Sequence, residues 1–231
     1  MAAEVRVRAA PEAIGAELAA ELAARHDSSP GAFLLGCPGG RSLRATYAAM
    51  TGRRWDKLVV VMMDEYAGAP PDAHYSCTRF AREEIAAPLG VPAERVWLPD
   101  EGYDERIEES GGVDVFLLGC GASDGHVAFL GPGAARDGRT ATVEIAETTR
   151  RDNLATFSAF RSLGEVPLRG ISVGLGTIVA ARALRLVLQG ADKRSATARL
   201  LALDAYDPAW PASIVHEHPD AVVYVDAAAH A

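Results

Sequence analysis

An aspartate and a histidine flank a single glycine in Asp124-Gly125-His126, directly after the apolar run 113–118. A carboxylate two residues from an imidazole can orient the ring and stabilise its charged form, which suits a histidine that shuttles a proton near neutral pH. A second acidic cluster, Asp64-Glu65-Tyr66, closes the apolar run 58–63. At the end of a buried strand a carboxylate loses solvation and can be poised as a base. A third run, 32–36, opens into Cys37-Pro38-Gly39-Gly40-Arg41-Ser42 ahead of an Ala-rich stretch, 43–50. This is the layout of an anion loop. Glycines let backbone N–H groups approach a phosphate, the following helix adds positive potential, and Arg41 and Ser42 add donors. A plain strand-to-helix turn would also favour glycine.

These residues need strands that end side by side. The uninterrupted apolar runs read as strands buried on both faces of a parallel sheet, where ligands bind beyond the carboxyl ends. Ile14, Leu18 and Leu22 recur four apart, the stripe of an amphipathic helix over 11–25 that stops before Asp27-Ser28-Ser29-Pro30-Gly31. Further helices are predicted at 42–50, 75–89, 178–183 and 191–202. Strands are predicted at 32–36, 58–63, 95–98, 113–118, 170–174, 184–188 and 221–225, with an outlying strand at 140–145. The alternation implies an α/β fold: one domain over 1–231, with a Rossmann-like, mainly parallel sheet and helices on both faces.

A chain of 231 residues with 49% apolar content can bury one full core. Its net charge of −8, with no basic block, argues against nucleic acid as a partner, so a phosphorylated substrate would rely on local donors. Cys37, Cys77 and Cys120 are widely spaced and odd in number, which indicates neither a disulfide framework nor a zinc knuckle and fits the cytoplasm. No apolar stretch approaches the roughly 18 residues that would suggest a membrane span, and the first 25 residues carry charges throughout, unlike a secretion signal. His216 and His218 flank Glu217 without the helical spacing of a zinc pair, so no metal is expected.

Seven segments occur in a characteristic order: Gly39-Gly40 with Tyr47, Met63-Asp64-Glu65-Tyr66, His74-Tyr75-Ser76, Asp124-Gly125-His126 with Phe129, Val173-Gly174-Leu175-Gly176-Thr177, Leu188-Gln189-Gly190-Ala191-Asp192-Lys193, and His218-Pro219-Asp220-Ala221. In these the chain resembles the glucosamine-6-phosphate deaminase (isomerase) and 6-phosphogluconolactonase family along almost its whole length. Tyr66, Phe129, Gly176-Thr177 and the His218 segment resemble the deaminase side; lactonases usually carry arginine where Tyr66 stands. The resemblance implies that Asp64 moves a proton between C2 and C1 of an amino-sugar phosphate and that His126, oriented by Asp124, helps open the pyranose ring. It implies that Lys193 binds the phosphate, and that Gly39, Gly40, Arg41, Ser42, Glu65, Gly125, Gly176 and Thr177 hold the substrate. It calls for no metal or organic cofactor, and it suggests a homo-oligomer.

Three positions depart from that pattern. Deaminases carry a glutamate five residues after the histidine, where this chain has Gly131. The anion loop lacks the usual Thr/Ser-rich turn followed by proline, and a phosphate-binding arginine aligns with Ala155, leaving Arg150, Arg151 or Arg161 as substitutes. Leu130-Gly131-Pro132-Gly133 is closer to the lactonase pattern. A lactone hydrolase, another sugar-phosphate isomerase and a non-catalytic sugar-phosphate sensor therefore stand as alternatives.

Overall fold

A computed structural model describes residues 2–156 and 160–230. Its strands are β1 (Glu4–Arg8), β2 (Phe33–Cys37), β3 (Leu58–Met62), β4 (Asp64–Tyr66), β5 (Val96–Trp97), β6 (Val115–Gly119), β7 (Ala141–Glu144), β8 (Arg169–Ser172), β9 (Leu184–Leu188) and β10 (Ala221–Asp226). Seven of them form one sheet in the order β1-β10-β9-β6-β2-β3-β5, with every pairing parallel. Residues alternate between two cores: Leu34, Val59, Phe116, Leu118, Leu186 and Val223 face one layer, while Phe33, Leu35, Val60, Leu117, Val187 and Val222 face the other. Burial on both faces is why these strands read as continuous apolar runs. Among the described residues, no helix is long and apolar enough to cross a membrane.

The chain leaves β2 toward β3 and β5 on one side, then returns to place β6 on the other side of β2. The loops after β2 and β6 consequently diverge, opening a crevice at the carboxyl ends of the strands.

Several elements differ from the sequence expectation. The strand at 170–174 is β8, and it lies outside the parallel sheet: β4, β8 and β7 form a separate antiparallel sheet pairing Asp64 with Ser172 and Ala141 with Ser172. Tyr66 of β4 and Val143 of β7 pack in a small cluster with Phe129 and Ile145, which periodicity cannot tell from the main core. The helix expected at 178–183 spans Leu175–Val179 instead, with Gly174 as its N-terminal cap. The unanticipated β1 alternates polar and apolar residues at the sheet edge, leaving Val5 and Val7 about 40% exposed. Helices Tyr103–Glu109 and Glu147–Thr156 were also not anticipated, because both are rich in charged and polar side chains. The segment expected as one helix over 75–89 runs from Cys77–Phe80 through a π-helical turn at Ala81–Ala86 to Ala87–Leu89.

The β2–β6 contact at the crevice relies on a missing side chain. Gly36 stands opposite Phe116, and a Cβ added there would lie 1.7 Å from Phe116 Cδ1. Gly36→Ala is expected to destabilise the fold by about 1–3 kcal/mol through overpacking, read as a lowered urea midpoint.

Candidate active site

Four strand ends converge on the crevice. Asp64 follows β3, where the chain bends out of the main sheet to begin β4. Its carboxylate is buried, 7% exposed, and its Oδ1 accepts the Cys77 thiol at 3.2 Å. Burial pushes the Asp64 carboxyl up to about 6 and the Glu65 charge adds to the rise, against the lowering influence of Cys77 and His126.

Glu65 has a different task from the substrate contact expected of it. Its carboxylate accepts the hydroxyls of Ser76 and Thr78 and the backbone N–H groups of Tyr66, Cys77 and Thr78, at 2.7–3.1 Å. It clamps the start of the helix that carries Cys77 and does not line the cleft.

After β6, residues 120–131 fold back on themselves. His126 Nδ1 lies 2.7 Å from Asp124 Oδ1, and the His126 backbone N–H donates to the same oxygen at 3.1 Å. Asp124 Oδ2 accepts Thr148 Oγ1 at 2.6 Å and Thr149 Oγ1 at 2.8 Å, both from helix Glu147–Thr156. Burial alone would push Asp124 up; the hydrogen bond and charge of His126, with the two hydroxyls, outweigh it and hold the carboxyl well below the usual range. With Nδ1 committed to Asp124, Nε2 is the nitrogen left for substrate. Gly121 makes the fold-back possible, since a Cβ there would meet His126 Nδ1 at 2.1 Å and Asp124 Oδ1 at 2.7 Å. Gly125 adopts φ +68° beneath the Trp210 indole, so it shapes the loop rather than touching the cleft.

The anion loop forms the opposite wall. Gly39, Gly40, Arg41 and Ser42 line the cleft, and their N–H groups donate to no backbone carbonyl among the described residues. Lys193, from the turn Ala191–Lys193 after β9, also lines it, and its Nζ donates to the Cys120 carbonyl at 2.7 Å. Arg41 lies 3.5 Å from Asp192 at the rim, with both side chains more than half exposed.

The structure thus brings Gly39, Gly40, Arg41, Ser42, Asp64, His126 and Lys193 to one cleft, with Asp124 directly behind His126. Gly176 and Thr177 lie elsewhere. Thr177 Oγ1 donates to buried Asp104 at 2.6 Å, and a Cβ on Gly176 would meet the Asp137–Gly138 backbone at 2.9 Å, so this motif packs one segment against another. None of the three substitute arginines lines the cleft. Arg150 donates to the carbonyls of Leu163 and Val166, Arg151 pairs with Glu147, and Arg161 is exposed.

Sequence reasoning missed Asp152, Asn153 and Thr156, which line the cleft from the helix that anchors Asp124. The 148, 149, 152, 153, 156 spacing of polar residues on one helix face was the available signal. Asp124, His126 and Asp152 offer ligand atoms within 4.8 Å of one another, the arrangement among the described residues that comes nearest to a cation site. Their atoms are engaged instead with one another, with Thr148 and Thr149, and with Ser123. His216 and His218 are buried and bonded to backbone groups.

A doubly wound α/β protein with a buried carboxylate, an Asp–His pair and an anion cradle at its strand-order reversal belongs to a class built for acid–base work on small anionic ligands. Residues 6–224 match the family model described as glucosamine-6-phosphate isomerases/6-phosphogluconolactonase. The chain belongs to that family. It is 31% identical to a glucosamine-6-phosphate deaminase of Shouchella clausii over 93% of this chain and 91% of that one. It is 36% identical to another of Corynebacterium kroppenstedtii over 73% and 67%. A solved monomeric glucosamine-6-phosphate deaminase superposes with a TM-score of 0.90 at 25% identity over 98% of both chains. A 6-phosphogluconolactonase from Thermotoga maritima shares the fold, with a TM-score of 0.75 at 17% identity over 97% of this chain and 99% of that one.

Asp124 links the site to stability. Because its folded-state pKa is depressed, its contribution is complete above about pH 4, where an unfolded aspartate is ionised, and is lost as the pH falls below that. Asp124→Asn is expected to cost about 1–3 kcal/mol at neutral pH. The gap between wild-type and variant urea midpoints should narrow on acidification from pH 5 to pH 2; a constant gap would refute the assignment.

Proposed function

We infer that the protein converts an amino-sugar phosphate of the glucosamine-6-phosphate type to a ketose phosphate and ammonia. The observation that carries this reading is one cleft holding a buried carboxylate poised at about 6, Asp64, beside the Asp124–His126 pair and the cradle of Gly39–Ser42 with Lys193. The relatives named glucosamine-6-phosphate deaminase, 29–36% identical, support it.

The groups fit the steps. His126 Nε2 relays the proton of the C1 hydroxyl to the ring oxygen, opening the pyranose to an aldehyde; Asp124 stabilises the imidazolium form while the imidazole carries the proton. Asp64 takes the proton from C2 as a proton passes from the ammonium nitrogen to O1, giving an enolamine, and returns it at C1, which leaves a protonated imine at C2. Water adds to that carbon and ammonia departs, giving the ketose. The cradle and Lys193 bind the phosphate and hold C2 against Asp64. No step calls for a metal or organic cofactor. The free, buried cysteines accord with a cytoplasmic setting. Gly131 favours one second reading, hydrolysis of a sugar lactone with His126 as the proton shuttle.

Ammonia release from glucosamine-6-phosphate, run beside hydrolysis of 6-phosphogluconolactone, separates the two readings. Release is expected with the first substrate, and turnover of the lactone alone would reverse the assignment. Asp64→Asn should lower ammonia release at least 10²-fold, the scale of a lost general base, while calorimetric binding of the sugar phosphate stays within a few-fold. Because a base must be deprotonated, kcat/KM should fall as the pH drops through about 6. An acidic limb that stays in place in Asp64→Glu and in every other Asp64 variant retaining activity would assign it to another group.

A further inference from the structure

Gly131 leaves His126 without an acid at the position five residues on, yet the cleft contains another carboxylate near the imidazole. Asp152 Oδ2 lies 3.9 Å from His126 Nδ1, with the Asp152 side chain 18% exposed. That separation is too long for a hydrogen bond but close for a charge. Asp152 is not free to swing away: Ser123 Oγ donates to its Oδ1 at 2.5 Å and the Ser123 backbone N–H to its Oδ2 at 3.1 Å. Ser123 directly precedes Asp124 in the same loop. One face of helix Glu147–Thr156 therefore carries the two threonine hydroxyls that aim Asp124 and the carboxylate that faces the ring. A side chain at 131 would start 3.9 Å from Asp124 Oδ2, in the space against Thr149 and Ala146. The acid has in effect moved from the loop to the helix.

We propose that Asp152 is the second carboxylate of His126, a positioning residue that stabilises its imidazolium in the place of an acid at position 131. The proposal rests on reading His126 as the proton shuttle. Among the described residues, the charged groups that bear on the ring are Asp124 and Asp152 at Nδ1 and Asp64 across the cleft; Lys193 lines the same cleft but is tied to the Cys120 carbonyl. Of these, Asp124 fixes the ring by a direct bond and Asp64 serves the carbon centres in the proposed reaction. Asp152 adds negative charge without competing for the ring nitrogen, because Ser123 holds its oxygens.

The test is a proton-detected NMR titration of the His126 ring in the full chain, with its signal assigned by loss in His126→Gln. In Asp152→Asn, whose amide oxygen can still accept from Ser123, the midpoint should fall measurably below that of the wild type. Asp152→Glu, which keeps the charge, should recover most of that shift, and Asp152→Ser reads the same loss should the asparagine disturb the helix. With glucosamine-6-phosphate, Asp152→Asn should lower kcat about tenfold and leave KM within twofold. An unmoved midpoint in folded Asp152→Asn overturns the proposal, as does a tenfold rise in KM with the midpoint in place, which would make Asp152 a substrate contact. A shifted midpoint in a protein whose wild type releases no ammonia leaves the pairing standing and removes the deaminase reading instead.

Discussion

The contact between Asp124 and His126 is the point on which the surrounding architecture converges. It requires the loop after β6 to fold back, which Gly121 permits by having no Cβ and Gly125 by turning beneath Trp210. It also requires helix Glu147–Thr156 to arrive with its hydroxyls over the far side of the carboxylate. That helix follows β7, and β7 is held by the small antiparallel sheet that also receives β4. The second sheet thereby connects the bend that sets Asp64 in place to the helix that sets Asp124, coupling the two halves of the site.

The two carboxylates at this site sit in opposite environments. Asp64 is stripped of water, with a thiol as its hydrogen-bond donor and Glu65 nearby, and it is pushed up to about 6. Asp124 is equally buried but receives an imidazole and two hydroxyls, and it remains a charged anchor. Like groups held in such different environments can take different tasks without any change of residue type. The cradle follows a similar economy. With a net charge of −8 over the chain, the positive character of the cleft is local, from the Gly39–Ser42 N–H groups, which donate to no backbone carbonyl among the described residues, and from Lys193 and Arg41.

The parallel sheet and much of the candidate site can be read from the unfolded chain. Doubly buried strands must be apolar throughout, so β2, β3, β6, β9 and β10 are visible as runs, and the residues just beyond their carboxyl ends are the ones such a sheet offers to a ligand. Gly39–Ser42, Asp64, Asp124 and His126 were legible on that ground, and Lys193 through the family resemblance. The tertiary structure alone decided which motif residues face the cleft and which support it: Glu65 turns away from the cleft to Ser76, and Gly176 and Thr177 lie outside it, packed against Gly138 and Asp104. It also decided that β8 leaves the main sheet, since a short apolar run is compatible with either core. Asp152 came last because its helix is polar and carries little hydrophobic pattern; its meaning lies in a 3.9 Å approach to a histidine 26 positions away, a distance that only the folded chain sets.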